Sequence, residues 1–103
     1  MKIETLNDVP PSAKPIFREI CCVEGISDIH FKNYGRGRYD GRCLAELSAD
    51  KNPRKIKGSV YDKGKECERQ DFEITVEDAA KRDLILTALF HHLNEKGMIR
   101  YRT

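Results

Sequence analysis

The residues best suited to do chemistry fall in one short run: Asn33, Tyr34, Gly35, Arg36, Gly37, Arg38, Tyr39, Asp40, Gly41 and Arg42. It holds three of the chain's seven glycines. Glycines let backbone approach a ligand closely, arginines make bidentate contacts to phosphate or carboxylate, and tyrosines offer faces on which bases stack. With the lysine just before it, the run supplies Lys32, Tyr34, Arg36, Arg38, Tyr39 and Arg42 as a binding set for a nucleic-acid backbone or an acidic protein surface. The run does not open a helix, so it is neither a P-loop nor a dinucleotide-binding fingerprint. The competing interpretation is an ordinary flexible hairpin loop between two strands.

Other reactive side chains are scattered. Cys21 and Cys22 are adjacent, Cys43 and Cys67 stand alone, and no pair has the Cys-x-x-Cys spacing of a zinc knuckle or a thioredoxin-type site. A zinc site built from these cysteines and His30, His91 or His92 would have to draw its ligands from distant segments. Free thiols, no metal and no cofactor are therefore expected. His91 and His92 sit near the end of a helical stretch, where the macrodipole favours positive charge, and a solvated helix margin accounts for them as well as a general base does. There is no serine elbow, no His-Glu-x-x-His and no Cys-His motif, so no catalytic residue is assigned and an enzyme is not expected.

The elements that must position these residues read most clearly toward the C-terminus. Phe72, Ile74 and Val76 alternate with Glu73, Thr75 and Glu77, the period of a strand with one apolar face. Asp78 is placed to cap the helix that follows, residues 79–96 contain neither Gly nor Pro, and Gly97 suits a left-handed stop. Ile85, Leu86, Leu89, Phe90 and Leu93 make one apolar stripe on it. Such a helix, about 19 residues and roughly 28 Å long, carries the chain back, so a last strand with Ile99 and Tyr101 on one face should run parallel to the Phe72 strand.

Toward the N-terminus, residues 1–6 read as a short strand or a frayed end, and Pro10 and Pro11 break the chain. Ser12 is the expected cap of a helix of about three turns carrying Ile16, Phe17, Ile20, Cys21 and Val23, with Pro15 in its first turn and Gly25 as its stop. In that helix Cys21 should face the core and Cys22 its margin, since neighbours point about 100° apart. Ile29 and Phe31 then mark a strand with His30 on its polar face. Cys43, Ala45, Leu47 and Ala49 mark a second, expected to pair with the first, and Ile56, Gly58 and Val60 a third. A turn at Asp62, Lys63, Gly64 and Lys65 leads antiparallel into the Phe72 strand.

The expectation is one α+β domain over residues 1–103. It should be a two-layer sandwich with one mixed, mostly antiparallel sheet, element order α-β-β-β-β-α-β, and helices on one face. The other face of the sheet should be solvated and charged.

Composition bounds what remains. Of 103 residues, 39% are hydrophobic and 35% charged, which suits a folded domain with a heavily charged exterior and not a disordered chain. Net charge of +2 does not by itself demand a polyanion. Its distribution is uneven: residues 30–65 hold ten basic side chains against four acidic, and residues 66–83 hold seven acidic against three basic. Cross-strand ion pairs between 55–61 and 66–73 should neutralise part of this. No apolar run approaches the length of a membrane helix, and residues 1–8 lack the apolar region of a secretory signal. A cytoplasmic, non-enzymatic binding protein is expected, with nucleic acid or a nucleoprotein complex as partner. The alternative is an inhibitor or adaptor, of the kind mobile elements and phages encode, that grips a single protein. A small enzyme or zinc protein trails both.

Overall fold

The structure is a computed structural model and describes residue 9 and residues 11–32, 42–63 and 65–100. The elements are α1 (Lys14–Ile20), β1 (Ile26–Phe31), β2 (Cys43–Ala49), β3 (Lys55–Asp62), β4 (Lys65–Val76), a 3-10 turn (Ala79–Lys81) and α2 (Arg82–Glu95). The four strands form one antiparallel sheet in the order β1-β4-β3-β2. Both helices pack on one face, giving the expected two-layer α+β arrangement. The apolar positions of every strand join Ile16, Phe17 and Ile20 of α1 and Ile85, Leu89 and Leu93 of α2 in one buried cluster.

The β3–β4 hairpin forms as the turn residues require, with Val60 opposite Gln70 and Ile56 opposite Ile74. The expected pairing of β1 with β2 does not occur. β1 pairs instead with β4, Ile29 opposite Ile74 and Phe31 opposite Phe72, so β1 and β2 lie at opposite edges of the sheet. The physical reason is aromatic packing. Phe17 of α1 meets the rings of Phe31 and Phe72 edge-on, at centroid distances of 4.9 and 5.0 Å, and this cluster needs the two strands side by side. β4 serves β1 along one edge and β3 along the other, with Phe72, Glu73, Ile74 and Thr75 paired on both sides.

The helices differ from expectation at their starts. α1 has only seven residues and Ala13, not Ser12, at its N-cap. The Ser12 hydroxyl instead accepts from the Cys43 thiol (3.4 Å), which ties the helix entry to β2. After Ile20 the backbone tightens: the Cys22 N–H donates to Glu19 O and the Val23 N–H to Ile20 O, both at 3.1 Å, and Gly25 at φ +93° turns the chain into β1. Asp78 does cap, accepting from the Ala80 N–H at 3.0 Å, but a 3-10 turn precedes the α-helix proper. Gly97, at φ 66°, is the expected left-handed stop.

The last strand is reduced to one parallel bridge between Ile99 and Ala45, closed by Ala45 N–H to Met98 O (2.7 Å) and Arg100 N–H to Ala45 O (2.6 Å). Since β2 and β4 run in the same direction, Ile99 is parallel to β4 as expected, but it lies beyond β2 and not beside β4. Residues 1–6 and Tyr101, for which strands were considered, lie outside the described residues. No helix among the described residues is long and apolar enough to cross a membrane.

Candidate functional site: a charged sheet face

Alternation along each strand sends one set of side chains into the core and the other onto the open face, and strand register then arranges that second set in rows. Ser48, Lys57, Glu73 and His30 lie in one row; Glu46, Ser59 and Asp71 lie in the next, where the Lys32 N–H donates to Asp71 O. Leu44, Tyr61 and Arg69 form a third. Opposite charges thus meet across strands, as the basic 55–61 and acidic 66–73 segments suggest. Lys32 Nζ lies 2.9 Å from Glu73 Oε1 and Lys55 Nζ 3.2 Å from Glu73 Oε2, so one carboxylate holds two ammonium groups, one just past β1 and one on β3. Arg69 Nε lies 3.1 Å from Asp71 Oδ1, and the Ser59 hydroxyl donates to the same oxygen at 2.7 Å.

These pairs shift protonation in the direction their geometry demands. The hydrogen bond from Lys32, and then that from Lys55, hold the Glu73 carboxyl below its ordinary value against the opposing effect of burial. The same bond raises the Lys32 ammonium. Arg69 is raised too, chiefly by its hydrogen bond with the Tyr61 side chain and then by Asp71.

The partners are not equally exposed. Side-chain exposure is 48, 55 and 51% for Lys32, Lys57 and Arg69, against 14, 16 and 27% for Glu73, Asp50 and Asp71. The carboxylates are recessed and the cations stand above them. Lys32, Lys57 and Arg69 rim a shallow depression of about 290 Å³, floored by Ser59, Asp71 and the backbone of Gly58. Around that depression the most exposed charges are the three cations.

Of the six residues singled out from sequence, Tyr34, Arg36, Arg38 and Tyr39 lie outside the described residues. Lys32 stands on the rim of the depression. Arg42 points away from that face and closes the end of α2, where its Nη2 donates to Lys96 O (3.1 Å) beside Gly97 and satisfies a terminal carbonyl. Among the described residues the sheet face offers no exposed aromatic ring. Tyr61 is buried, with the Arg100 guanidinium 5.0 Å over its ring. Lys57 and Arg69 were missed as site residues. Their alternation with the core set was a readable signal, but the depth of their carboxylate partners was not.

The cysteine chemistry considered from sequence is limited by burial. Cys43 is buried and half-buried Cys21 flanks the core; desolvation pushes both thiols up, away from the nucleophilic thiolate. The side chain of Cys67 lies outside the described residues. His30 and His91 are exposed. The groups that could hold a metal among the described residues are Glu19, Cys22 and His92, on the helical layer away from the sheet face.

Comparison with known proteins found no matching family model, no matching curated protein and no matching solved structure.

Proposed function

We propose that this chain is a small, non-enzymatic binding protein of the cytoplasm that docks its open sheet face, with the Gly/Arg/Tyr segment that follows Lys32 in sequence, against the phosphate backbone of a nucleic acid. The observation that carries the proposal is the standing of Lys32, Lys57 and Arg69 above recessed carboxylates around one depression. Recessed anions fix the cations in place while leaving their outer surfaces free to replace condensed counterions. With Tyr61 covered, the face supplies phosphate contacts rather than a stacking platform, so binding on it should be indifferent to base sequence. The free thiols of Cys21, Cys22 and Cys43 suit a reducing compartment.

The test is fluorescence anisotropy of labelled single- and double-stranded oligonucleotides of unrelated sequence, titrated at several salt concentrations. Binding should weaken steeply with salt. Lys57→Gln with Arg69→Gln should make the slope of log affinity against log salt shallower by roughly 1.4–1.8, about 0.7–0.9 for each lost phosphate contact. Absence of binding at the lowest salt ends the nucleic-acid proposal. If an acidic polypeptide binds in its place and the same two substitutions slow its association, the cationic face serves an acidic protein partner.

A further inference from the structure

We propose that Glu19, Cys22 and His92 form a zinc site that joins α1 to α2, independent of the sheet face. The carboxylate, thiol and imidazole each offer one ligand atom, and the three atoms lie within 4.8 Å of one another. His92 Nε2 is 2.5 Å from Glu19 Oε2, and the Cys22 thiol makes only a long contact of 3.4 Å to Arg18 O. The local backbone builds half of the site. Glu19 and Cys22 are three residues apart across the tightened turn that ends α1, where the Cys22 N–H bonds Glu19 O, so their side chains share one face. The last turn of α2 brings His92 to the same place.

The donor set selects the ion. One thiolate, one imidazole and one carboxylate suit zinc, whereas calcium and magnesium want oxygen ligands alone. With zinc at about 2.0–2.3 Å from each donor, tetrahedral geometry places the ligand atoms roughly 3.3–3.7 Å apart. The imidazole–carboxylate contact must therefore open by about 1 Å, with the sulfur, already within 4.8 Å of both, completing the set. The adjustment is one of side-chain rotations, and Cys22 is exposed while Glu19 and His92 are half-buried. Three protein ligands leave the fourth position to water, or to a donor from outside the chain, on the exposed side where Cys22 lies. Zinc takes cysteine as the thiolate and histidine through an imidazole lone pair, so binding releases protons to the buffer. Affinity should accordingly fall as pH is lowered. The consequence for the fold is a clamp on α1, whose seven residues are too few to be stable without docking.

The experiment is a titration of the metal-free, reduced full chain with cobalt, the usual spectroscopic stand-in for zinc, followed by displacement with zinc. A sulfur-to-cobalt charge-transfer band should grow and saturate at one ion per chain, then vanish on zinc addition. Cys22→Ser should abolish the band while leaving the far-ultraviolet circular dichroism of the metal-free protein unchanged. His92→Gln should weaken cobalt binding by more than about tenfold, the lower end of what losing even an outer-sphere contact costs. His91→Gln and Cys67→Ser should bind as wild type does. In the unsubstituted chain, zinc should protect Cys22 from alkylation, read by peptide mass spectrometry. It should also raise the folding equilibrium constant roughly a hundredfold at free zinc about a hundred times its Kd. No charge-transfer band, a band that survives Cys22→Ser, or Cys22 alkylated equally with and without zinc would overturn the proposal.

Discussion

The ring of Phe72 lies directly over Gly58, its register partner on β3, filling the space where any other residue would place a Cβ. Gly58 points to the core side with Ile56 and Val60, so its missing side chain is a notch that β4 fills across the ladder. Gly58→Ala should force the ring away from Phe17 and Phe31 and cost about 1–3 kcal/mol, the usual range for overpacking. A urea melt checks this; an unchanged midpoint would mean that the ring has room to move.

Leu89 sits at the centre of the α2 stripe and is fully buried. Leu89→Ala should leave a cavity between helix and sheet and cost about 2–5 kcal/mol. A thermal or urea melt showing less than about half the lower figure would contradict the docking of α2 described above.

Glu73 should confer a particular pH dependence. Its carboxyl is depressed below the ordinary value of 4.5, so its contribution to stability is complete above that pH and is lost as pH falls through the folded-state value. Lys32 is raised above 10.5, so its share is complete below that pH and is lost as pH rises through the raised value. The difference in urea midpoint between wild type and Glu73→Gln should therefore be level through neutral pH and shrink at both extremes. A difference that persists unchanged far below 4.5 would mean that the ion pair contributes nothing.

The Gly/Arg/Tyr segment predicts its own signature. Arg36→Ala with Arg38→Ala should weaken nucleic-acid binding without regard to sequence and lower the salt slope by roughly 1.4–1.8. Stability should stay within about 0.5 kcal/mol of wild type. Tyr34→Ala and Tyr39→Ala should each weaken single-strand binding by ~1–3 kcal/mol if their rings stack on bases, and should be silent if charge alone attracts the ligand. Anisotropy with matched single and double strands separates the two.

Arg82 predicts a local effect. Its Nη1 lies 3.0, 3.2 and 3.0 Å from the carbonyl oxygens of Asp50, Asn52 and Lys55, so one guanidinium gathers the whole β2–β3 connection. Arg82→Lys keeps the charge but loses the planar fork. It should destabilise by about 1–3 kcal/mol, and amide exchange should quicken in residues 50–55 before it does in β4.

Features that depend on near neighbours were legible before folding. Alternation of Phe72, Ile74 and Val76, the spacing of Ile85, Leu89 and Leu93 and the Gly97 stop each need only a few adjacent residues, and each appears in the structure as read, while Asp78 caps the 3-10 turn that leads into α2. The tight turn after Asp62 likewise joins β3 to β4. Three matters were decided only in the folded chain. The partner of β1 was one, because Ile29 and Phe31 present an apolar face that either neighbour could accept, and the Phe17 ring between Phe31 and Phe72 chose β4. The depth of Glu73 and Asp71 beneath their cations was another, since it depends on side-chain reach across a pleated surface. The meeting of Glu19 and Cys22 with His92 was the third. Local spacing sets the first two side by side, but only packing of α1 against α2 brings in an imidazole from seventy-three residues away, and no period in the sequence records that distance.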